Sequence, residues 1–282
     1  MSHKNVSQYN PFVSIALTTY NGKEFLRKQL DSLLSQTYRN LEIVISDDGS
    51  DNETIAILNE YVARDKRVRW SRSPLPRGFI KNTENAISLC KGEIIFLCDQ
   101  DDIWYENRVS LHVAAYKDPR VFWVYNKLVL VDEHDKKIGF LEDTINDYYK
   151  KERMKLLYYT WGSCIGGAMT SYRASILHKA MPIGRYCPAH DSWIQLAIFP
   201  LKPFFIDEVL QVYRQHNSNE VGWGKKQTMK ELKRKKQEAI SDNMRYLKYL
   251  PENKNLQLWK RIFFNIVYVA KRIRGMFTTL RT

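Results

Sequence analysis

The residues best placed to do chemistry lie in the stretch IIFLCDQDDIW, Ile94 to Trp104. Four apolar residues lead into Cys98, and then Asp99, Asp101 and Asp102 crowd around Gln100. A single Asp after an apolar run reads as a turn or helix-cap residue. Several carboxylates packed together at the end of a buried strand repel one another unless a cation stands among them. Mg2+ and Mn2+ take hard oxygen ligands and keep phosphate oxygens and water in their shell, so the cluster points to a divalent metal carrying a diphosphate.

Three further groups allow two readings each. Asp47-Asp48-Gly49-Ser50 is either a common Asp-Gly turn or a carboxylate that accepts from a base N–H or a ribose hydroxyl. His190-Asp191 is either a helix N-cap pair or a general base beside an acceptor hydroxyl. Arg214 and His216 in VYRQHN either end a surface strand, or neutralise diphosphate charge and complete a metal shell.

The elements that must position these groups are legible in the apolar patterning. Val13 to Leu17 reads as a buried strand that ends in Thr18, Thr19, Tyr20 and Asn21. KEFLRKQLDSLLSQ places Phe25, Leu26, Leu30, Leu33 and Leu34 on one helical face. LEIVIS is a second strand, and NETIAILNEYVARD a helix with Ile55, Leu58 and Val62 at helical spacing. RVRWSRS is a strand, FIKNTENAISLCKG a helix and EIIFLC a further buried strand. In the second half, GSCIGGAMTSYRASILHKA predicts a glycine-rich turn or short strand and then a helix. There His190 and Asp191 open another helix, and KPFFIDEVLQVYRQH reads as a strand pair. Apolar strands alternating with helices predict an α/β domain on a mostly parallel sheet. The polar clusters all fall at the carboxyl ends of strands, the edge where open α/β sheets bind ligands.

The chain has 282 residues, 44% hydrophobic and 27% charged, which describes a globular protein with a sizeable core. Its formal net charge is +13, and residues 225–282 hold sixteen basic and four acidic side chains, +12 of that total. Residues 1–224 therefore form the nearly neutral α/β domain, and residues 225–282 a basic helical C-terminal extension. From Leu256 the apolar residues Ile262, Ile266, Val269, Ile273, Met276 and Leu280 recur at helical spacing between basic edges. That pattern fits a helix lying in an anionic membrane surface, or one packed on the domain or on a second copy in a homo-oligomer. The N-terminus is polar and no apolar run has the length of a membrane span. Cys90, Cys98, Cys164 and Cys187 have neither metal-ligand spacing nor a disulfide framework, and two of them read as small core residues. This usage leads us to expect a reducing cytoplasm.

The ordered set VSIALTTYNG, EIVISDDGSDN, FLCDQDDIW, AHDSW and YRQHN resembles glycosyltransferase family 2, inverting enzymes with the GT-A (Rossmann-like) fold. CDQDDIW with HDSW and YRQH looks most like the bacterial rhamnosyltransferases of surface polysaccharide synthesis. The resemblance implies a donor pocket of Thr18, Tyr20 and Asp48, with Lys81 nearby, Asp99 on the ribose side and Arg214 on the diphosphate. It implies Asp101 as metal ligand with Asp102 and His216, Asp191 as the base, and His190 and Trp193 on the acceptor side. The cofactor would be Mg2+ or Mn2+, and the donor a dTDP- or UDP-linked sugar. The acceptor would be a glycan or lipid-linked acceptor, met in the cytoplasm at the inner face of the cell membrane. The chain departs from the family pattern at Arg77, where Asn usually precedes the glycine, and it lacks the Gln-x-x-Arg-Trp motif of processive synthases.

Two alternatives compete: a nucleotidyltransferase or metal-dependent phosphatase using the same carboxylates, and a non-catalytic nucleic-acid binder. A sugar nucleotidyltransferase calls for a glycine-rich phosphate loop after the first strand, and TTYNGKEF has one glycine. A phosphatase with an aspartyl nucleophile places its Asp-x-Asp after the first strand, not the fourth. A non-catalytic nucleic-acid binder, suggested by charge alone, leaves an acidic cleft in a nearly neutral domain unexplained.

Overall fold

The computed structural model describes residues 9–75, 77–140, 165–183, 189–198 and 201–216. The basic extension 225–282, with its amphipathic pattern, lies outside the described residues, as do Cys164 and Cys187. No helix among the described residues is long and apolar enough to cross a membrane.

The first half follows the patterning closely. β1 (Val13–Thr19), β2 (Leu41–Asp47), β3 (Val68–Arg72) and β4 (Ile94–Cys98) pair in parallel in the order β3-β2-β1-β4. Three helices connect them: α1 (Leu26–Leu34), α2 (Asn52–Arg64) and α3 (Phe79–Leu89). All of β2 and β4 is buried, as near-continuous apolar strands covered on both faces must be. Cys90 and Cys98 are buried free thiols. One expected face is rotated. α2 buries Thr54, Ile57, Leu58 and Tyr61, and Val62 is exposed. Positions 54, 57, 58 and 61 make a better stripe than 55, 58 and 62, because Tyr61 supplies the large buried surface and Thr54 sits in the first turn under the Asp51 cap.

Beyond β4 the sheet becomes mixed. β8 (Thr170–Arg173) runs antiparallel to β4, and β6 (Trp123–Val131) antiparallel to β8. β9 (Phe204–Arg214) is parallel to β6, β5 (Ile103–Trp104) pairs antiparallel with β9, and β7 (Lys137–Phe140) forms a hairpin with β6. α4 (Arg108–Ala115) follows β5, α5 (Ala174–Leu177) follows β8, and α6 (His190–Ala197) precedes β9. The expected strand pair in KPFFIDEVLQVYRQH is one strand of eleven residues. Asp207-Glu208 looks like a turn in sequence, but it sits where the β6–β9 register shifts at Asn126–Leu128, so the acids bulge out of a continuous strand.

Candidate active site

The carboxyl ends of β1, β2 and β4 meet in one cleft. Asp47 and Asp48 divide the two readings of their motif between them. Asp47 is fully buried and closes the turn, accepting from the Gly49 and Ser50 N–H groups, while Gly49 takes a φ of 92°. Asp48 is 9% exposed, and its Oδ2 accepts from Gly78 N–H at 2.8 Å. Thr18 is half-buried on β1, and Tyr20 is 46% exposed beside it. Arg77 lies over the Tyr20 ring at 4.7 Å and donates from Nε to Asp48 O at 3.2 Å. The residue that departs from the family pattern therefore joins Tyr20 to Asp48.

Gln100, set among the acids, ties this end of the cleft to the next. Its Oε1 accepts from Thr19 Oγ1 at 2.6 Å and from Tyr20 N–H at 2.9 Å, and its Nε2 donates to Tyr20 O at 3.1 Å. Gly22 makes room for it, since a Cβ there would fall 2.2 Å from Gln100 Oε1.

The acids beyond Gln100 take different environments. Asp99 is half-buried, and burial together with Asp101 and Asp191 raises its pKa to about 7. Asp101 Oδ2 lies 2.8 Å from His216 Nε2. Asp102 is 1% exposed and stands behind the cleft wall, where Gln211 Nε2 donates to its Oδ2 at 3.2 Å. Burial and the neighbouring Asp101 and Asp99 push its pKa well up, opposed by Arg108 and the Arg214 N–H. Arg214 is 1% exposed, donates to Asp101 O at 3.2 Å, pairs with Asp135 and lies over the Phe25 ring at 4.9 Å. Phe25 also meets the His216 ring, 4.8 Å between centres. The tight β6–β7 turn, with Asp135 at φ 63°, thus holds Arg214 against the backbone of Asp101.

α6 brings its first residues to the same place. Asp191 is close enough to Asp99 to raise its pKa. Asp191 Oδ2 accepts from Gly167 N–H at 3.3 Å, and Oδ1 from its neighbour Ser192 N–H at 2.5 Å. The His190 ring sits on Gly167, where a Cβ would fall 2.2 Å from Nε2, and burial lowers its pKa. Its Nδ1 is buried without a hydrogen-bond partner. Arg214, expected on the diphosphate, is buried behind Asp101, and Trp193 and Lys81 also make their polar contacts away from the cleft acids. Trp193 is 1% exposed with its indole N–H on Ala180 O, a core position rather than an acceptor wall. The Lys81 ammonium is held by Glu84 at 2.8 Å and Ile183 O at 3.3 Å, linking α3 to the segment before α6 rather than reaching the cleft acids.

Among the described residues no three His, Cys, Asp or Glu side chains converge as a closed protein cage. The Asp101–His216 pair, with the buried and unbonded Oδ1 of Asp102 behind it, still fits a small divalent cation that draws the rest of its shell from diphosphate and water. Residue reasoning missed Gln100, Arg77 and Tyr213. Tyr213, one residue before Arg214 on β9, lies in the field of Asp102, Asp99, Asp101 and Asp191, which with burial raise its phenol pKa. Its place beside Arg214 in VYRQHN was the available signal.

Residues 14–180 match the model of the family described as Glycosyl transferase family 2. An uncharacterized glycosyltransferase of Rickettsia typhi is 29% identical over 217 residues, covering 74% of this chain and 66% of that protein. The UDP-Glc:alpha-D-GlcNAc-diphosphoundecaprenol beta-1,3-glucosyltransferase WfaP of Escherichia coli is 32% identical over 114 residues, 40% of this chain and 45% of that protein. The matched segments thus span less than two thirds of either relative's length. The mannosyltransferase PcManGT from Pyrobaculum calidifontis, in complex with GDP-Man and Mn2+, superposes with a TM-score of 0.59 at 18% identity, over 75% of this chain and 59% of that one. TarS 1-349 of S. aureus with UDP-GlcNAc gives 0.58 at 16% identity, over 87% and 69%. At these identities the likeness shows the fold.

Proposed function

The chain belongs to glycosyl transferase family 2, with an α/β sheet of the GT-A type, and from that premise we propose that it transfers a sugar from a nucleotide diphosphate donor to a glycan or lipid-linked acceptor. The observation that carries this reading is the meeting of Asp101 and His216, 115 residues apart, at 2.8 Å, in the cleft that also holds Asp99 and Asp191.

Tyr20, Asp48 and Arg77 receive the nucleoside, with Thr18 behind them, and Asp99 faces the ribose side. Asp101 and His216 hold a divalent cation, Mg2+ or Mn2+, and Arg214 stiffens that station from behind. When bound, the cation neutralises the diphosphate and makes it a better leaving group. Asp191 takes the proton of the acceptor hydroxyl as its oxygen attacks the anomeric carbon from the face opposite the diphosphate. One such displacement inverts the configuration and needs no covalent enzyme nucleophile. His190 borders the acceptor side through its seat on Gly167.

Mn2+ in the mannosyltransferase structure supports the metal, and the diphosphoundecaprenol acceptor named for the E. coli relative supports a lipid-linked substrate. Rhamnose as the donor sugar rests on the CDQDDIW, HDSW and YRQH signature, and single addition on the sequence pattern. The basic surplus of residues 225–282 supports work at the inner face of the membrane.

A panel of dTDP-, UDP- and GDP-sugars with Mg2+ or Mn2+ tests this reading. One donor is expected to turn over slowly, by hydrolysis or transfer. Asp101→Ala is expected to abolish metal-dependent nucleotide binding, and Asp191→Ala to remove turnover while donor binding persists. Full activity in Asp191→Ala would show the base to be another residue.

A further inference from the structure

Arg108 opens α4 and is 0% exposed. A cation at a helix N-terminus opposes the helix dipole, and a buried charge is tolerated only when paired and hydrogen-bonded. Both penalties fall on one residue, so its contacts carry information. The guanidinium lies on the Trp104 indole, 3.8 Å from the ring centre. Nε donates to Asn126 Oδ1 at 3.1 Å, and Nη2 donates to Ala168 O at 2.7 Å. Nη1 is buried without a hydrogen-bond partner, as is Asp102 Oδ1, and the two side chains attract each other's charged forms. Asn126 is braced in turn by His112 Nε2 at 3.0 Å, and His112 Nδ1 meets Ser171 Oγ at 2.8 Å.

Ala168 belongs to the 3-10 turn Gly167–Met169. That turn is the floor under His190 and Asp191: Gly167 N–H donates to Asp191 Oδ2, and the His190 ring rests on the Gly167 α-carbon. Two side chains pin the turn from below, Arg108 through Ala168 O and Thr170 Oγ1 through Gly167 O at 2.6 Å. A planar guanidinium can fix Asn126 and Ala168 in one rigid fork, which an ammonium cannot.

We propose that Arg108 is a positioning residue that aims the Asp191 carboxylate through the Gly167–Met169 turn, while its charge faces Asp102 behind the cleft wall. The inference rests on Asp191 being the base. Arg108→Lys keeps the charge and loses the fork. It should therefore lower kcat while sparing nucleotide binding, a split that a general packing defect would not give.

The test compares wild type, Asp191→Asn, Arg108→Lys, Thr170→Val and the Arg108→Lys/Thr170→Val double variant. Donor turnover is measured with Mn2+ and the best donor of the panel, and binding of that donor's nucleoside diphosphate with Mn2+ by calorimetry. Arg108→Lys is expected to lower kcat at least about tenfold and to change the binding Kd by less than about twofold. Thr170→Val should lower kcat in the same direction, and the double variant should lose less than the product of the two, because both act on one turn. Arg108→Lys at wild-type kcat beside an inactive Asp191→Asn overturns this inference alone. So does a Kd that worsens in proportion to kcat. Full turnover in Asp191→Asn overturns the base assignment, and this inference with it. If Arg108→Lys does not fold, Thr170→Val decides: an unchanged kcat there overturns the proposal.

Discussion

Asp99 and Gln100 are neighbours with opposite tasks. Asp99 stores electrostatic tension, because burial, Asp101 and Asp191 raise its pKa to about 7 against about 3.9 in an unfolded chain. The folded protein therefore holds this proton more tightly than the unfolded one. Its stabilising contribution is fully present below about pH 4 and is lost as pH rises through about 7. In chelator, the melting temperature should fall between pH 5 and pH 8, and Asp99→Asn should flatten that slope, with a gain at pH 8 on the order of a few kcal/mol. Parallel profiles for the two proteins would exclude this account. Gln100 relieves no charge; it clips the β4 end to the β1 end through Thr19 and Tyr20. Gly22→Ala puts a methyl where Gln100 Oε1 stands. Nucleotide affinity should drop about tenfold, with a stability loss of about 1–3 kcal/mol. Unchanged affinity, measured by calorimetry, would remove Gln100 from the donor site.

At the scale of elements, the same kind of crowding at Gly92 has a different consequence. A Cβ there would lie 2.4 Å from the Ser14 backbone nitrogen, where β4 enters beside β1, and Gly92 N–H donates to Ser14 Oγ at 2.7 Å. Backbone cannot step aside as a side chain can. Gly92→Ala is expected to cost about 3 kcal/mol or more in chemical denaturation, while the folded fraction keeps normal nucleotide affinity, since the cleft is at the opposite end of these strands. The β6–β7 turn offers a second case. Asp135 holds Arg214 and Lys28 from a left-handed backbone position. Asp135→Ala removes an ion-pair partner of the buried Arg214, so it should lower stability by a few kcal/mol, on the order expected for breaking a buried pair. It should also loosen Arg214 behind Asp101, weakening Mn2+-dependent nucleotide binding several-fold in calorimetry. Equal binding by both proteins would show that the turn does not govern the site.

For the whole molecule, charge is divided along the chain: residues 1–224 are nearly neutral, and the C-terminal tail 225–282 carries +12 of the +13. If the tail serves a lipid-linked acceptor, the full chain should float with anionic vesicles at low salt, and less at high salt as screening shortens the reach of each charge. Removal of residues 256–282 should abolish flotation while donor turnover continues. Equal flotation by both proteins would rule out this segment as the membrane contact.

The amino-acid sequence by itself determined the parallel half of the sheet and its ligand edge, because buried parallel strands and their helices announce themselves in apolar runs and helical spacing. It also marked the polar clusters Asp47–Asp48, Asp99–Asp102, His190–Asp191 and Arg214–His216 at strand and helix ends, and the family resemblance then pointed to Asp48, Asp99, Asp101, Asp191 and His216 within them. The mixed half was less legible. β5, β6, β7 and α4 are short or irregular, and the bulge in β9 imitates a turn. Tertiary structure alone decided what each polar residue does. Asp47 closes a turn through the Gly49 and Ser50 N–H groups, while Asp48 accepts from the distant Gly78 N–H. Trp193 and Lys81 turn away because Ala180, Glu84 and Ile183 satisfy them. Asp101 meets His216, and Arg108 reaches Ala168, only because β9 and the turn before β8 return to the end of β4. Contacts across such separations depend on how the strands are ordered in space, which local patterning does not encode.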